Sequence, residues 1–170
     1  MNDSLRCALL IVSDRSAHNE REDITGPALE EKIQSYGWIV STKKILADEL
    51  EEIRQYLEAT VKEDTVDLIF TAGGTGCAPR DVTPEATLAV IEKSVPGLAE
   101  AMRQESLKGN LHGMLSRAVA GISHKTLIIN LPGNPKAAVE NLEAISAVLP
   151  HAAALLHSNS DAEAGHQFGH

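Results

Sequence analysis

Three unbroken apolar runs constrain this chain more than any other feature: residues 7–12, 66–71 and 126–131. A strand with one face in water alternates apolar and polar side chains. A strand covered on both faces reads as a continuous hydrophobic run. A fourth run, 38–45, is less continuous. Segments with helical spacing lie between the runs. Residues 25–36 put Ala28, Leu29, Ile33 and Tyr36 on one side. Residues 48–61 put Leu50, Ile53, Leu57 and Val61 on one face, with Glu51, Glu52, Arg54, Gln55 and Glu58 opposite. Further helices are expected at 84–93, 97–107 and 135–149, the last kinked or ended by Pro150 and continued over 152–157. Such alternation predicts an α/β fold, a mostly parallel sheet with helices on both faces. The order of its strands is not legible at this level.

At 170 residues the chain is expected to be one domain, 1–157, followed by a polar tail of small residues at 158–170. His166 and His170 in that tail read as solvated rather than metal-binding. No run of about 18 apolar residues is present, so no membrane helix is expected. The first residues lead directly into a strand without a signal-peptide layout, so a cytoplasmic location is expected. Fifteen basic residues against 24 acidic ones give a net charge of −9, which argues against nucleic acid or an anionic membrane as partner. An anionic small ligand remains compatible with a locally positive pocket. Cys7 falls in the first apolar run and reads as core; Cys77 falls in a glycine loop and reads as a bystander, with no nearby His motif to activate it. Trp38 and scattered surface apolar residues are compatible with an interface.

Ligands of open α/β sheets bind beyond the carboxyl ends of the strands. The run 7–12 leads into Ser13-Asp14-Arg15, the run 66–71 into Thr71-Ala-Gly73-Gly74-Thr75-Gly76, and the run 126–131 into Leu131-Pro132-Gly133-Asn134-Pro135-Lys136. The glycine loop is not a Walker A loop, because the spacing and the Gly-Lys-Ser/Thr ending are missing. Alone it reads as a tight turn. Arg80, Asp81 and the helix start at Thr83-Pro84, with Thr83 as N-cap, turn it into a candidate phosphate cradle. Asp81 has two readings: a partner for the helix dipole, or a carboxylate that holds magnesium on a nucleotide. Asp48 likewise reads as an N-cap or as a second functional acid. Asn134 is expected to cap a helix with Pro135 at its first position, and the same helix start with Lys136 suits an anion. Asp23-Ile-Thr-Gly-Pro27 is a similar case. Residues 16–23 form either a lid or an ordinary surface connection.

Taken together, Val12-Ser-Asp-Arg15, Asp23-Ile-Thr-Gly-Pro27, the Gly-Gly-Thr-Gly loop, Arg80-Asp-Val-Thr-Pro-Glu-Ala-Thr87, Leu115-Ser-Arg117 and Leu127-Ile-Ile-Asn-Leu-Pro-Gly-Asn-Pro135 resemble the molybdopterin adenylyltransferase family of molybdenum-cofactor biosynthesis. The chain is also similar to the adenylyltransferase domain of gephyrin-like two-domain proteins. The resemblance spans about residues 5 to 150 and keeps the family's order. It implies a three-layer α/β/α sandwich and, commonly, a homotrimer. It implies transfer of AMP from Mg-ATP to molybdopterin, giving adenylyl-molybdopterin and pyrophosphate, with the product passed to a molybdenum insertase.

Asp48 and Asp81 match the family's two functionally important aspartates, and both are candidates to hold Mg2+. Ser13, Asp14, Gly73, Gly74, Thr75, Gly76, Arg80, Ser116, Pro132, Gly133 and Asn134 are the expected nucleotide- and molybdopterin-binding residues. Which of them meet pterin and which meet adenine is not legible. Close relatives with weak or no activity, tungsten-pathway counterparts and non-catalytic pterin carriers share these features. The presence of both aspartates favours the active enzyme. The longer insertases carry extra domains absent from this sequence, and a dinucleotide-binding dehydrogenase fails because G-x-G-x-x-G does not follow the first strand.

Overall fold

The computed structural model describes residues 4–157; the tail expected at 158–170 lies outside the described residues. In chain order the elements are β1 (Arg6–Val12), α1 (Asp14–Ala17), α2 (Thr25–Ser35), β2 (Ile39–Leu46), α3 (Leu50–Lys62), β3 (Leu68–Ala72), α4 (Thr83–Leu88), β4 (Lys93–Ser94), α5 (Pro96–Leu107), a 3-10 turn (Leu111–Leu115), β5 (Ala120–Ser123), β6 (Thr126–Leu131), α6 (Pro135–Ser146) and α7 (Leu149–Leu156). The six strands form one sheet in the order β2-β1-β3-β6-β5-β4. β2, β1, β3 and β6 run parallel, and β5 turns back antiparallel to β6 and pairs with β4.

The unbroken runs are buried on both faces. In β1, Cys7, Leu9 and Ile11 join one core, while Ala8, Leu10 and Val12 join the other. The larger core packs the sheet against Leu29 and Ile33 of α2, Met102 of α5, Leu142 and Ile145 of α6 and Leu149 of α7. The smaller core packs the opposite face against Ile53, Leu57 and Val61 of α3 and Ala86 of α4. These are the three layers of an α/β/α sandwich. Burial pushes the Cys7 thiol up to about 12, the behaviour of an inert core cysteine.

Several expectations need correction. The helix expected at 84–93 stops at Leu88, and Lys93–Ser94 is strand. The edge of β5 captures this segment: Glu92 N donates to Ile122 O at 2.7 Å and Val95 N to Ala120 O at 2.8 Å. β5 itself is not foreshadowed in the sequence, and neither are β4 and the 3-10 turn. Trp38 is not a surface residue; it is 9% exposed and packs in the larger core with its ring 4.9 Å from that of Tyr36. The helix expected at 135–149 ends at Ser146, and the break expected at Pro150 comes before it: Pro150 sits in the first turn of α7, where its missing N–H has no bond to lose. Among the described residues no helix is long and apolar enough to cross a membrane.

Candidate active site

β1 connects through α2 to β2 on one side, and the chain then returns through α3 to β3 on the other side of β1. This reversal opens a crevice beyond the carboxyl ends of β1 and β3. A cleft of about 550 Å³ fills it. Ser13 and Asp14 reach it from β1, Asp48 from the end of β2, Gly73 and Gly74 from β3, and Gly133 and Asn134 from β6; Asp81 completes the wall. The parallel sheet thus gathers residues that are far apart in sequence.

The glycine loop must be glycine at two positions. Gly73 has φ +107°, and a Cβ there would stand 2.1 Å from the backbone oxygen of Val12. Gly74 has φ +63°, and a Cβ there would stand 2.4 Å from Thr83 Oγ1 and 2.9 Å from Asp48 Oδ1. Both conformations belong to the left-handed side that side-chain-bearing residues avoid. The bare backbone therefore lines the cleft directly. Arg117 holds the loop from behind: its N–H donates to Thr75 O at 2.9 Å, and its guanidinium donates to Gly76 O and Asp81 O at 2.6 Å each and pairs with Glu85.

Asp48 is not an N-cap. α3 begins at Leu50, and Glu49 in the cap position makes no side-chain cap bond. Asp48 instead exchanges bonds with Asp14: Asp14 N donates to Asp48 Oδ2 at 2.9 Å, and Asp48 N donates to Asp14 Oδ1 at 3.0 Å. Burial pushes the Asp48 carboxyl above its usual range, and the negative charges of Asp14 and Asp81 add to that, against the opposing bond from Asp14. Asp81 Oδ2 accepts from Ala78 N at 2.8 Å, which shapes the loop. Thr83 is not the N-cap of α4 either. Val82 holds that position without a side-chain bond, and the Thr83 hydroxyl is buried with no partner. Asn134 does cap α6, accepting from Ala137 N at 3.0 Å, with Pro135 in the first turn.

Arg80, expected to meet a phosphate, is committed elsewhere. Its guanidinium donates to both oxygens of Asp14 at 2.8 and 3.0 Å and to Glu49 at 2.8 Å, and it lines neither cleft. Its bonds hold the Asp14 carboxyl below the usual carboxylate range. The cations on the cleft wall are Arg15 and Arg21. Arg15 had a signal, its place directly after β1; Arg21 had only the charge of its loop. Asp23 is a further cleft residue, accepting from Thr25 N at 3.0 Å and Gly26 N at 2.9 Å, while Thr25 Oγ1 donates to Gly133 O at 2.8 Å. Residues 16–23 thus combine a short helical start with cleft-lining charges.

A second cleft of about 770 Å³ lies on the other side of the glycine loop. Thr75, Gly76, Ser116 and Pro132 line it, with Lys136 and the exposed Cys77, whose Sγ lies 3.5 Å from Leu115 O. Asn134 borders both clefts. The expected site residues therefore divide between two adjoining spaces.

Two clefts at a topological switch point, with a bare-backbone loop between them and carboxylates and arginines on the wall, form the candidate ligand site of an α/β domain. The family described as "probable molybdopterin binding domain" matches residues 8–151, and the chain belongs to it. A molybdopterin adenylyltransferase of Helicobacter pylori strain J99 is 41% identical over 158 residues, covering 92% of this chain and 90% of that one. The crystal structure of the molybdopterin biosynthesis enzyme MoaB from Thermus thermophilus superposes with a TM-score of 0.86 at 44% identity, covering 91% of this chain and 98% of the other. The tungsten cofactor synthesizing protein MoaB from Pyrococcus furiosus does so with a TM-score of 0.80 at 30% identity, covering 94% and 100%.

Proposed function

We propose that this chain is a molybdopterin adenylyltransferase, a nucleotidyltransferase of molybdenum-cofactor biosynthesis acting as one domain over residues 1–157. It moves AMP from Mg-ATP to molybdopterin. The terminal phosphate of molybdopterin attacks the α-phosphorus of ATP, a new P–O bond forms, and pyrophosphate leaves with the broken one. The observation that carries this reading is the meeting of Asp48 and Asp81 on one cleft wall beside the bare backbone of Gly73 and Gly74. The 41% identity to named adenylyltransferases supports it.

Both reactants are anionic, so positioning and charge neutralisation dominate the catalysis. Arg15 and Arg21 supply positive charge on the wall. Gly73 and Gly74 let phosphate approach the main chain. The second cleft, sharing Asn134 with the first, offers room for the other reactant.

Asp48 and Asp81 are the residues that would hold magnesium. The fit is chemical: magnesium takes one or two carboxylates and keeps waters and phosphate oxygens as its other ligands. A bound cation would offset the burial and, with it, the negative charges of Asp14 and Asp81 that together push the Asp48 carboxyl up. When bound, magnesium neutralises charge developing on the phosphates.

We further propose a cytoplasmic homotrimer that hands its product to a molybdenum insertase. Exposed Leu111, Met114 and Leu115, at 70%, 64% and 57%, support self-association. Cys7 and Cys77, both free, are in keeping with a reducing compartment. The test is to mix purified protein, molybdopterin, ATP and magnesium and to quantify adenylyl-molybdopterin and pyrophosphate. Product that depends on molybdopterin and disappears with EDTA is expected. Bound molybdopterin without product would overturn the enzymatic reading in favour of a carrier.

A further inference from the structure

Thr83 is wholly buried at the start of α4, and its hydroxyl has no hydrogen-bond partner. Its backbone N–H does have one, the carbonyl oxygen of Gly74 at 3.1 Å. The hydroxyl lies against the same glycine. A Cβ on Gly74 would meet Thr83 Oγ1 at 2.4 Å, Asp48 Oδ1 at 2.9 Å and Val12 Cγ1 at 3.3 Å. An uncommitted donor and a carboxylate oxygen therefore face one bare Cα, with Val12 closing the remaining side.

An unpartnered hydroxyl in this position is anomalous. Buried polar atoms are almost always satisfied, and valine fills the same volume without a polar atom to desolvate. Asp48 Oδ2 is already anchored on Asp14 N–H. A carboxylate oxygen accepts more than one hydrogen bond, so Oδ1 has capacity for a further donor. Rotation of the Asp48 carboxylate about its last torsion, a broad and soft one, changes the separation of Oδ1 from the Thr83 hydroxyl. The absence of a side chain on Gly74 leaves the path between them clear.

We propose that Thr83 is a positioning residue for Asp48: with nucleotide bound, its hydroxyl donates to Asp48 Oδ1 while Oδ2 stays on Asp14 N–H, fixing the carboxylate in one orientation. This rests on the reading that Asp48 serves adenylyl transfer. Gly74 then has two tasks, the turn itself and the clearance that lets hydroxyl and carboxylate meet.

Thr83→Val and Thr83→Ser separate this role from packing. The valine variant keeps the shape and loses the donor; the serine variant loses a methyl and keeps the donor. Thr83→Val is expected to unfold at or above the wild-type midpoint, to keep KM for ATP within about twofold, and to lose about tenfold in kcat, the scale of a modestly misplaced catalytic group. Thr83→Ser is expected to recover kcat to within about threefold of wild type despite its looser packing. A crystal structure with magnesium and a non-hydrolysable ATP analogue is expected to show Thr83 Oγ1 within about 3 Å of Asp48 Oδ1.

Wild-type kcat in Thr83→Val, equal losses in both variants, or a hydroxyl still unpartnered in the nucleotide complex would each overturn the proposal. If the wild-type protein itself makes no product, the adenylyltransferase reading falls and this role falls with it. An active wild type alongside an equally active Thr83→Val removes this role alone.

Discussion

Asp67 and Asp48 are both drawn out of water at strand ends, and the protein treats them in opposite ways. Asp67 precedes β3 at the amino end of the sheet and is 7% exposed. Arg6 N donates to it at 2.7 Å, the Arg6 guanidinium at 2.9 and 3.4 Å, and His157 Nε2 lies 2.9 Å away. Burial pushes its carboxyl up, but the Arg6 bonds and charge, with help from His157, outweigh that and hold it below the usual range. Asp48, at the carboxyl end, has no such cation directly on its carboxylate, and burial wins. One acid clamps β1, β3 and the end of α7 together. The other is kept at an energetic disadvantage that a cation or substrate can relieve. A buried acid satisfied on every side marks structure; one left under strain beside a cleft marks function.

The strongest way to break the contrast is at the glycine loop. Gly73→Ala drives a Cβ toward the Val12 oxygen and is expected to cost roughly 3–5 kcal/mol in urea unfolding and to abolish turnover. Asp81→Asn comes next, with turnover down about 100-fold and the unfolding midpoint nearly unchanged, because the amide oxygen still accepts from Ala78 N. Asp67→Ala should do the reverse. It leaves the Arg6 groups unpaired and is expected to cost about 2–3 kcal/mol in stability, with kcat within about twofold of wild type.

The smallest effects lie in pH dependence, and the two acids differ in sign. The Asp67 contribution is complete above its unfolded value near about 4 and is lost as pH falls through its lower folded value. Wild type should therefore lose more stability in strong acid than Asp67→Asn. Asp48 is raised, so its charge opposes folding above its folded value, and acid removes that opposition. Asp48→Asn should match or exceed wild-type stability at pH 7, and the difference should vanish below about pH 4, once both forms are neutral. Urea midpoints measured across pH check both signs.

The layered fold was legible because residues 7–12, 66–71 and 126–131 carry their double burial in their composition. β4 and β5 were not. They span two and four residues, too few for a period, and are defined by pairing with each other and with β6. In the site, the glycine turn and the Asn134 cap follow from local rules, and the structure has both. Thr83 was misplaced because the preference for a hydroxyl at a cap does not reveal which residue begins the helix. The Arg80 pairing spans 66 residues to Asp14 and 31 to Glu49, and the exchange between Asp14 and Asp48 spans 34. The parallel pairing of β1 with β2 on one side and with β3 on the other brings those groups together, and no local pattern encodes it.

The most direct test measures molybdopterin-dependent pyrophosphate release for wild type, Asp48→Asn and Asp67→Asn side by side, with unfolding midpoints on the same preparations. Turnover is expected in wild type and Asp67→Asn and lost by about 100-fold in Asp48→Asn, while stability falls only in Asp67→Asn. Full turnover in Asp48→Asn, or a loss of activity that tracks the loss of stability across the variants, would contradict the assignment of the strained acid to function and the satisfied acid to structure.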